Sequence, residues 1–159
     1  MGWSIGGPDQ HGRFVGYGVP AFCDHPKCTA QIDRGLAYVC CNQEPYGGDR
    51  GCGLYFCEKH STGFEGRCMR CARSRPTPYT ITKPEHPVWL KHLINDESWA
   101  DWRREDPDRL EALLEKFAAS FAWCEKHGIA IKYDEEGELT VASSPQSAVS
   151  GVLPARGEP

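Results

Sequence analysis

The sequence predicts an α+β protein made of two units with different chemistry. Eight of the nine cysteines lie within residues 23–71, among short apolar stretches broken by glycine and proline, whereas residues 84–142 show a long helical periodicity. Residues 13–83 hold ten Lys/Arg and six Asp/Glu, a formal charge of +4, and residues 84–142 hold seven and fourteen, a formal charge of −7. We therefore expect five segments: a loose N-terminus (1–12), a cysteine-rich unit (13–75), a linker (76–86), an acidic helical unit with a short hairpin (87–142) and a disordered tail (143–159).

The cysteine-rich unit is expected to contain two short strands. RFVGYGVPAFC (13–23) and GLAYVCC (35–41) are rich in the aromatic and β-branched residues that favour strands. QEPYGGDRG (43–51) has the Pro, Gly-Gly and Asp that are typical of a loop. GLYFCEKHSTG (53–63) is expected to be a strand or turn that leads into a short helix.

Three helices and a hairpin are expected in the acidic unit. HPVWLKHLI opens with Pro87, which suits a first helical turn, and NDESWADWRRE offers Asp96 as an N-cap. In DPDRLEALLEKFAASFAWCEKHG, Asp106 is expected to cap the helix, Pro107 to open it and Gly128 to end it. Apolar residues recur there at helical spacing and predict one buried stripe: Leu110, Leu113, Leu114, Phe117, Phe121 and Cys124. IAIKY and ELTVA, joined by DEEG, predict the hairpin.

The cellular location is expected to be the cytoplasm. The first residues, MGWSIGGPDQHGRFVGYG, lack the basic region and the apolar run of a signal peptide. No segment approaches the roughly 18 apolar residues of a membrane span. Thiols stay reduced inside cells, where clustered cysteines indicate metal binding rather than disulfides.

Ten cysteine and histidine side chains within residues 23–71 are candidate metal ligands. Three pairs are closely spaced, and a fourth can form across a loop: Cys23 with Cys28, Cys57 with His60, Cys68 with Cys71, and Cys40 with Cys52. Structural Zn²⁺ takes four nitrogen or sulfur ligands in a tetrahedral arrangement. Four pairs therefore predict a zinc-binding unit with two structural zinc ions per chain.

Two of the ten candidates are surplus. Cys40 and Cys41 are adjacent, and neighbours on an extended strand point to opposite faces, so only one of them can easily face the metal. Cys40 is preferred because it shares a face with other apolar residues, and Cys41 is kept as an alternate. His25 is the second alternate, since it could replace Cys28. Cys124 lies on the apolar stripe and is expected to be a core residue.

The stretch GCGLYFCEKH (51–60) resembles part of the AN-one-type (stress-associated-protein) zinc finger. That family's signature includes C-x4-C-x2-H with an aromatic residue before the second cysteine. The matching residues are Cys52, Phe56, Cys57 and His60, preceded in order by Cys23, Cys28 and Cys40. The chain departs from the family in its C-x4-C first pair, in the longer gap from Cys40 to Cys52 and in its CMRC end. The resemblance covers about a third of the chain.

The resemblance implies a cross-brace, which RING-type and B-box modules also use. In a cross-brace the first and third ligand pairs share one zinc ion, and the second and fourth pairs share the other. The implied sets are Cys23, Cys28, Cys57 and His60 on one ion and Cys40, Cys52, Cys68 and Cys71 on the other. Outside this unit, HPVWLKHLINDESWADWRRED (86–106) is similar to small uncharacterised phage and bacterial proteins.

The favoured functional hypothesis is a zinc-stapled protein-interaction module or adaptor, such as a phage or bacterial regulator that acts on a protein partner. Catalysis is not expected, because the sequence contains no nucleophile elbow, phosphate loop or H-E-x-x-H. The surplus of donors also argues against the open position that a catalytic zinc needs. A ubiquitin-ligase-like or hydrolytic zinc enzyme is the least favoured interpretation.

Two groups of residues are candidates for partner binding. Trp99 and Trp102 share a helical face, and a tryptophan left exposed would anchor an interface. Nucleic-acid binding is the alternative, through a basic run beside the last cysteine pair: Arg67, Arg70, Arg73 and Arg75. Two observations argue against it. Seven thiolates and two Zn²⁺ would lower the finger's charge by three, and the isoelectric point of about 5.9 is far from that of basic duplex binders.

Overall fold

The computed structural model describes residues 4–41, 51–62, 66–75 and 77–142, and it has an α+β architecture. A three-stranded antiparallel sheet of order β1-β2-β3 comes first: β1 is Ser4–Pro8, β2 is Phe14–Phe22 and β3 is Gln31–Arg34. β2 is the strand predicted over residues 13–23, whereas β3 was not predicted. The loop predicted over residues 43–51, except for its last residue, and the tail predicted over residues 143–159 lie outside the described residues.

The expectation of a loose N-terminus is wrong for residues 4–12. β1 pairs with β2, with Ser4 opposite Tyr17 and Ile5 opposite Gly16. Asp9 then closes the turn, because its Oδ1 accepts hydrogen bonds from the amides of His11 and Arg13, both at 2.9 Å. The glycines assist this pairing, since a Cβ at Gly16 would lie 2.0 Å from the Ser4 carbonyl oxygen.

The strand predicted over residues 35–41 is also wrong. Only Val39 forms a bridge there, with Tyr55, and the neighbouring residues form turns. The Cys40 amide donates to the Leu54 carbonyl at 2.7 Å, and Cys41 then takes a φ of 94°. This left-handed conformation turns the chain away from a partner strand, so pairing stops after one bridge.

Four helices follow: α1 (Met69–Ala72), α2 (Pro87–Asn95), α3 (Ala100–Arg104) and α4 (Asp108–Lys126), with a single 3₁₀ turn at Glu97–Trp99 before α3. Asp96 caps that turn as predicted, since its carboxylate accepts from Ser98 N at 2.9 Å. Asp106 Oδ1 accepts from Asp108 N at 3.1 Å, although α4 begins one residue later than expected. Gly128, with a φ of +67°, ends α4 as predicted.

The predicted C-terminal hairpin is confirmed. Strand β4 (Ala130–Tyr133) pairs antiparallel with β5 (Leu139–Ala142) in a two-stranded sheet. Asp134 closes its turn through Oδ1, which accepts from the amides of Glu136 and Glu138. The acidic residues predicted in this turn are exposed.

The row of six apolar residues predicted on α4 is only partly buried. Leu113 and Cys124 are buried, together with Ser120, whose hydroxyl donates to the Glu85 carbonyl at 2.7 Å. Leu110 and Leu114 are 40% and 50% exposed, which corrects the expectation that they belong to the core. They lie to one side of the Leu113 position on the helix, and α2 and β4 cover only the Leu113 side.

β2 packs into each of the three hydrophobic clusters that the described residues form. Val15 and Ala21 lie among the cysteines, Val19 packs with Trp89 of α2, and Phe22 packs with Cys124 of α4. Strict alternation would place Val15, Val19 and Ala21 on one face of the strand. The register shift between Gly16 and Pro20 lets Val19 face the helices instead.

Trp89→Ala should destabilise the fold strongly, because Trp89 is 1% exposed and packs against Phe14 with ring centroids 5.7 Å apart. We expect a loss of about 3–5 kcal/mol in the free energy of unfolding, as for other large-to-small core substitutions. Urea unfolding of the zinc-loaded protein would measure it. Tyr133→Ala, at a side chain that is 57% exposed, is the control and should change stability by about 0.5 kcal/mol or less.

His86 should make stability depend on pH. Its Nδ1 accepts from Val88 N at 3.3 Å at the start of α2, and burial, with a smaller effect of Arg34, lowers its pKa from 6.5 to about 3. Between these values the unfolded chain binds a proton that the folded protein excludes, so stability falls as the pH drops below 6.5, by about 1.4 kcal/mol per pH unit.

His86→Asn keeps a capping acceptor but removes this titration. The stability difference between the wild type and His86→Asn should therefore shift by about 1.4 kcal/mol, against the wild type, from pH 7.5 to pH 5.5. Comparing the two proteins cancels any effect of acid on the zinc ligands. A difference that stays constant across this range would contradict a neutral, buried His86.

Candidate metal centres

The structure gathers the eight ligand candidates into two clusters. The first cluster is Cys23, Cys28, Cys57 and His60, and the second cluster is Cys40, Cys52, Cys68 and Cys71. Within each cluster all four ligand atoms lie within 4.8 Å of one another. Each cluster, one Cys₃His and the other Cys₄, could therefore hold one zinc ion, as the cysteine and histidine spacing predicted.

The first cluster is built from two turns. Cys23 directly follows β2, and its amide donates to the Ala30 carbonyl at 2.9 Å; Cys28 closes the intervening turn by donating to His25 O at 3.0 Å. A second turn, in which His60 N donates to Cys57 O at 2.8 Å, brings the other pair together. Each tight turn places two ligands side by side without help from the core.

The second cluster uses the start of a helix. Cys68 is the N-cap of α1, where its sulfur accepts from Cys71 N at 3.5 Å, so both side chains face the same side of the turn. Cys40 and Cys52 approach from the segments joined by the Val39–Tyr55 bridge. The Cys68 amide also donates to Cys40 Sγ at 3.2 Å.

The distances between ligand atoms fit tetrahedral zinc. With Zn–S bonds of about 2.3 Å, two sulfurs of a tetrahedral site lie about 3.8 Å apart. The Cys28–Cys57 and Cys52–Cys68 sulfur pairs are 3.7 and 3.9 Å apart. His60 Nδ1 is 3.7 Å from Cys23 Sγ. A disulfide would require about 2.05 Å, and all nine cysteines are free.

The chemistry of the donor set also fits a cation. Burial is the main cause that raises the pKa of Cys71, to about 12, and it raises the pKa of Cys57 as well. Burial therefore opposes ionisation of these two thiols, and a positive charge would be needed to hold them as thiolates. Amides already donate to three of these sulfurs at 3.2–3.4 Å: Cys57 N to Cys23, Ala30 N to Cys28, and Cys68 N to Cys40. When bound, zinc would supply the remaining charge and link the turns.

The two surplus candidates, Cys41 and His25, and the expected core residue Cys124 lie outside both clusters. Cys41 is turned away by its positive φ, so the structure favours Cys40 as the sequence did. Cys124 is fully buried beside Phe22, and burial raises its pKa to about 11, consistent with a core thiol. His25 stacks on His60, with ring centroids 3.9 Å apart and planes 6° apart.

The residues expected to bind a partner are partly engaged within the protein. Trp99 and Trp102 are half-buried and pack edge-on against Phe14, at 5.2 and 5.9 Å. Arg70 lies 4.5 Å from the Tyr79 ring centroid and donates to the Thr77 and Pro78 carbonyls. Arg67 is half-buried and has interactions of its own, whereas Arg73 and Arg75 are exposed.

Sequence reasoning missed a buried ionic network beside the first cluster. Arg13 donates through Nε to Asp9 at 3.0 Å and through one terminal nitrogen to both oxygens of Asp24, at 3.0 and 3.1 Å. Asp24 also accepts from Tyr55 N at 2.8 Å. Lys83, in the predicted linker, donates to the carbonyls of Cys23 and His25. No spacing rule connects residues so far apart in sequence, so no signal in one sequence could have found them.

No family model, curated protein or solved structure matched this chain. The resemblance to the AN-one-type finger therefore stays a prediction carried by residues 23–71. Among the described residues, none of the helices combines the length and apolar character that crossing a bilayer requires.

The adjacent cysteines provide a matched test of the ligand set. Elemental mass spectrometry on protein purified without added metal should find two zinc ions per chain. Cys40→Ser should bind one zinc fewer, whereas Cys41→Ser should keep both, because only Cys40 belongs to a cluster. Removal of zinc by a chelator should unfold the cysteine-rich unit, since its folding and metal binding are coupled. Equal zinc content in the two variants would refute the assignment of Cys40.

Proposed function

We propose that this protein is a zinc-stapled protein-interaction module. Its ligand pairs alternate along the chain between the two clusters: the first and third pairs form one cluster, and the second and fourth form the other. This alternation supports a cross-brace, in which neither zinc ion can be removed without loosening the segment that holds the other. A small finger of this kind gains from zinc the folding energy that its core lacks.

We assign both zinc ions a structural role and the protein no catalytic one. Each cluster offers four protein ligands, which fill a tetrahedral zinc. A hydrolytic zinc needs a position for water, and a ligand would have to leave to provide it. Because each of the two clusters offers four protein ligands, the arrangement supports a stabilising role for both zinc ions rather than a catalytic one.

The observation that carries the interaction role is the exposed apolar side of α4. Leu110 and Leu114 are 40% and 50% exposed and stand one turn apart. Phe117 and Phe121, whose ring centroids are 4.7 Å apart with their planes tilted by 60°, continue the same side of the helix. We name these four residues the α4 apolar stripe. An apolar row at this spacing is how helices bind a groove or another helix.

The surroundings of the α4 apolar stripe favour a basic partner. Glu111 and Glu115 lie on the exposed face of α4 beside it, and residues 84–142 carry twice as many acidic as basic side chains. Complementary charge would orient such a partner and speed its association. Trp99 and Trp102 pack around Phe14, in the hydrophobic cluster that lies beneath this surface, rather than projecting into solvent.

Nucleic-acid binding is the weaker alternative for this fold. Of the four arginines in the basic run, Arg70 is already committed to Tyr79 and the adjoining carbonyls. The exposed members, Arg73 and Arg75, leave few contacts for a phosphate backbone. The acidic helical half would repel it.

Site-specific photo-crosslinking would test the α4 apolar stripe. A photoreactive phenylalanine analogue at position 114 should capture a protein in extracts of the source cells, and the same analogue at position 112, an exposed position about 160° around the helix from position 114, should not. Leu110→Glu should weaken binding of the captured partner about tenfold or more, because a charge would enter an apolar contact. The complex should persist at 0.5 M salt.

Two outcomes would contradict the proposal. Equal capture from positions 114 and 112 would show contact without specificity. Retention on nucleic acid that disappears with salt, and that is lost in Arg70→Gln/Arg73→Gln but not in Leu110→Glu, would support the alternative instead.

A further inference from the structure

A cavity of about 290 Å³ lies between the sheet and α4, outside both metal centres. Its apolar walls include Phe22, Ile81 and Ala119. Its charged walls hold four cations and two carboxylates: Arg13, Arg34, Lys83, Lys116, Asp24 and Glu85. A water molecule occupies about 30 Å³ of liquid, so the cavity has room for a small organic molecule. Neither the sequence analysis nor the proposed interaction role uses this cavity.

Both arginines of the cavity wall have unused hydrogen-bond donors. Arg13 and Arg34 are 8% and 4% exposed. Within the described part of the chain, one terminal nitrogen of Arg13 and Nε of Arg34 are buried without a hydrogen-bond partner. Buried donors are normally satisfied, so each such group points to a ligand or an ordered water. The other donors of Arg13 are taken by Asp9 and Asp24. Arg34 donates to the Phe14 carbonyl at 3.2 Å and forms an ion pair with Glu85, whose Oε2 lies 2.6 Å away and has no other polar partner among the described residues.

Tyr55 packs against Arg13 but does not line the cavity: the Arg13 guanidinium carbon is 5.5 Å from its ring centroid. Its side chain is 1% exposed, and its hydroxyl is also without a hydrogen-bond partner among the described residues. The guanidinium donors of Arg13 and Arg34 by themselves suit an oxygen anion.

Two lysines, Lys83 and Lys116, add positive charge to the wall of the cavity. Lys83 is half-buried, and the acceptors of its ammonium group are the backbone carbonyls of Cys23 and His25 rather than a carboxylate. Lys116 is exposed at the rim and also lines a neighbouring cavity of about 170 Å³. Since the two carboxylates already pair with the arginines and Lys83 lies against the first ligand cluster, the exposed charge of Lys116 is the one available to an anionic guest.

We infer that this cavity binds a small organic anion, whose carboxylate or phosphate group meets Arg13, Arg34 and Lys116 while its apolar body rests on Phe22 and Ile81. Guanidinium groups recognise both kinds of oxyanion through paired N–H donors. The cavity volume limits the guest to about the size of one ring with its acidic group. The inference goes beyond the interaction module and does not depend on it.

Titrations of the zinc-loaded full chain would test the site with two probes, inorganic phosphate and benzoate. Amide resonances of residues 81–83, 85 and 119 should shift saturably with at least one probe, at constant ionic strength set with chloride. Saturation by phosphate alone assigns a phosphate guest, and saturation by benzoate alone assigns a carboxylate. Saturation by both assigns the shared oxyanion chemistry.

Matched lysine variants separate a site from general attraction. Lys116→Gln should raise the dissociation constant of the probe at least fivefold, because Lys116 lines the cavity. Lys126→Gln removes the same charge from an exposed position at the end of α4 and should leave the constant unchanged. Both side chains are exposed, so neither change should threaten folding. Shifts that never saturate, or equal weakening by the two variants, would overturn the inference and leave ordered water as the occupant.

Discussion

The ligand clusters are the constraint on which the finger depends. Seven cysteine sulfurs and one imidazole are drawn into two groups, each within 4.8 Å. Burial raises the pKa of Cys57 and Cys71, so a cation would stabilise the arrangement. Cys23, Cys28 and Cys57 belong to one hydrophobic cluster with Leu54 and Phe56, so the ligands are also part of the core of this unit. We therefore expect metal binding and the folding of this unit to be coupled.

β2 links the ligand clusters to the helical half through its side-chain contacts. The strand begins beside Arg13 and ends at the first metal ligand, Cys23, while its side chains enter all three hydrophobic clusters. A single residue of β2, Phe14, contacts the three tryptophans Trp89, Trp99 and Trp102. A finger that loosens would thus withdraw apolar contacts from the helices as well. The acidic unit is not an independent appendage, even though its composition differs sharply.

The sequence predicted what depends on local spacing and missed what depends on long-range packing. Ligand pairs, helix ends such as Asp96 and Gly128, and the hairpin all rest on neighbours within a few residues, and they were found. The strand at 35–41 failed because the conformation of Cys41 is decided by contacts with Gly66, 25 residues away. Leu110 and Leu114 matched helical periodicity, but periodicity cannot tell how wide a face the neighbouring elements cover.

Lys83 shows how the metal centre and the inferred cavity are joined. Its ammonium donates to the carbonyls of Cys23 and His25, which begin and line the first turn of ligands, and its stem forms part of the cavity wall. Burial lowers the pKa of Lys83, while the neighbouring Cys23, Cys28 and Asp24 act in the opposite direction. A zinc ion with three thiolates and a neutral imidazole would carry a net charge of −1, and Lys83 would neutralise that charge at close range. The hydrogen bonds of Lys83 to the two carbonyls therefore connect one wall of the cavity to the turn that holds the first cluster. Composition alone could not suggest this, because the residue lies in a proline-punctuated segment that has the sequence character of a linker.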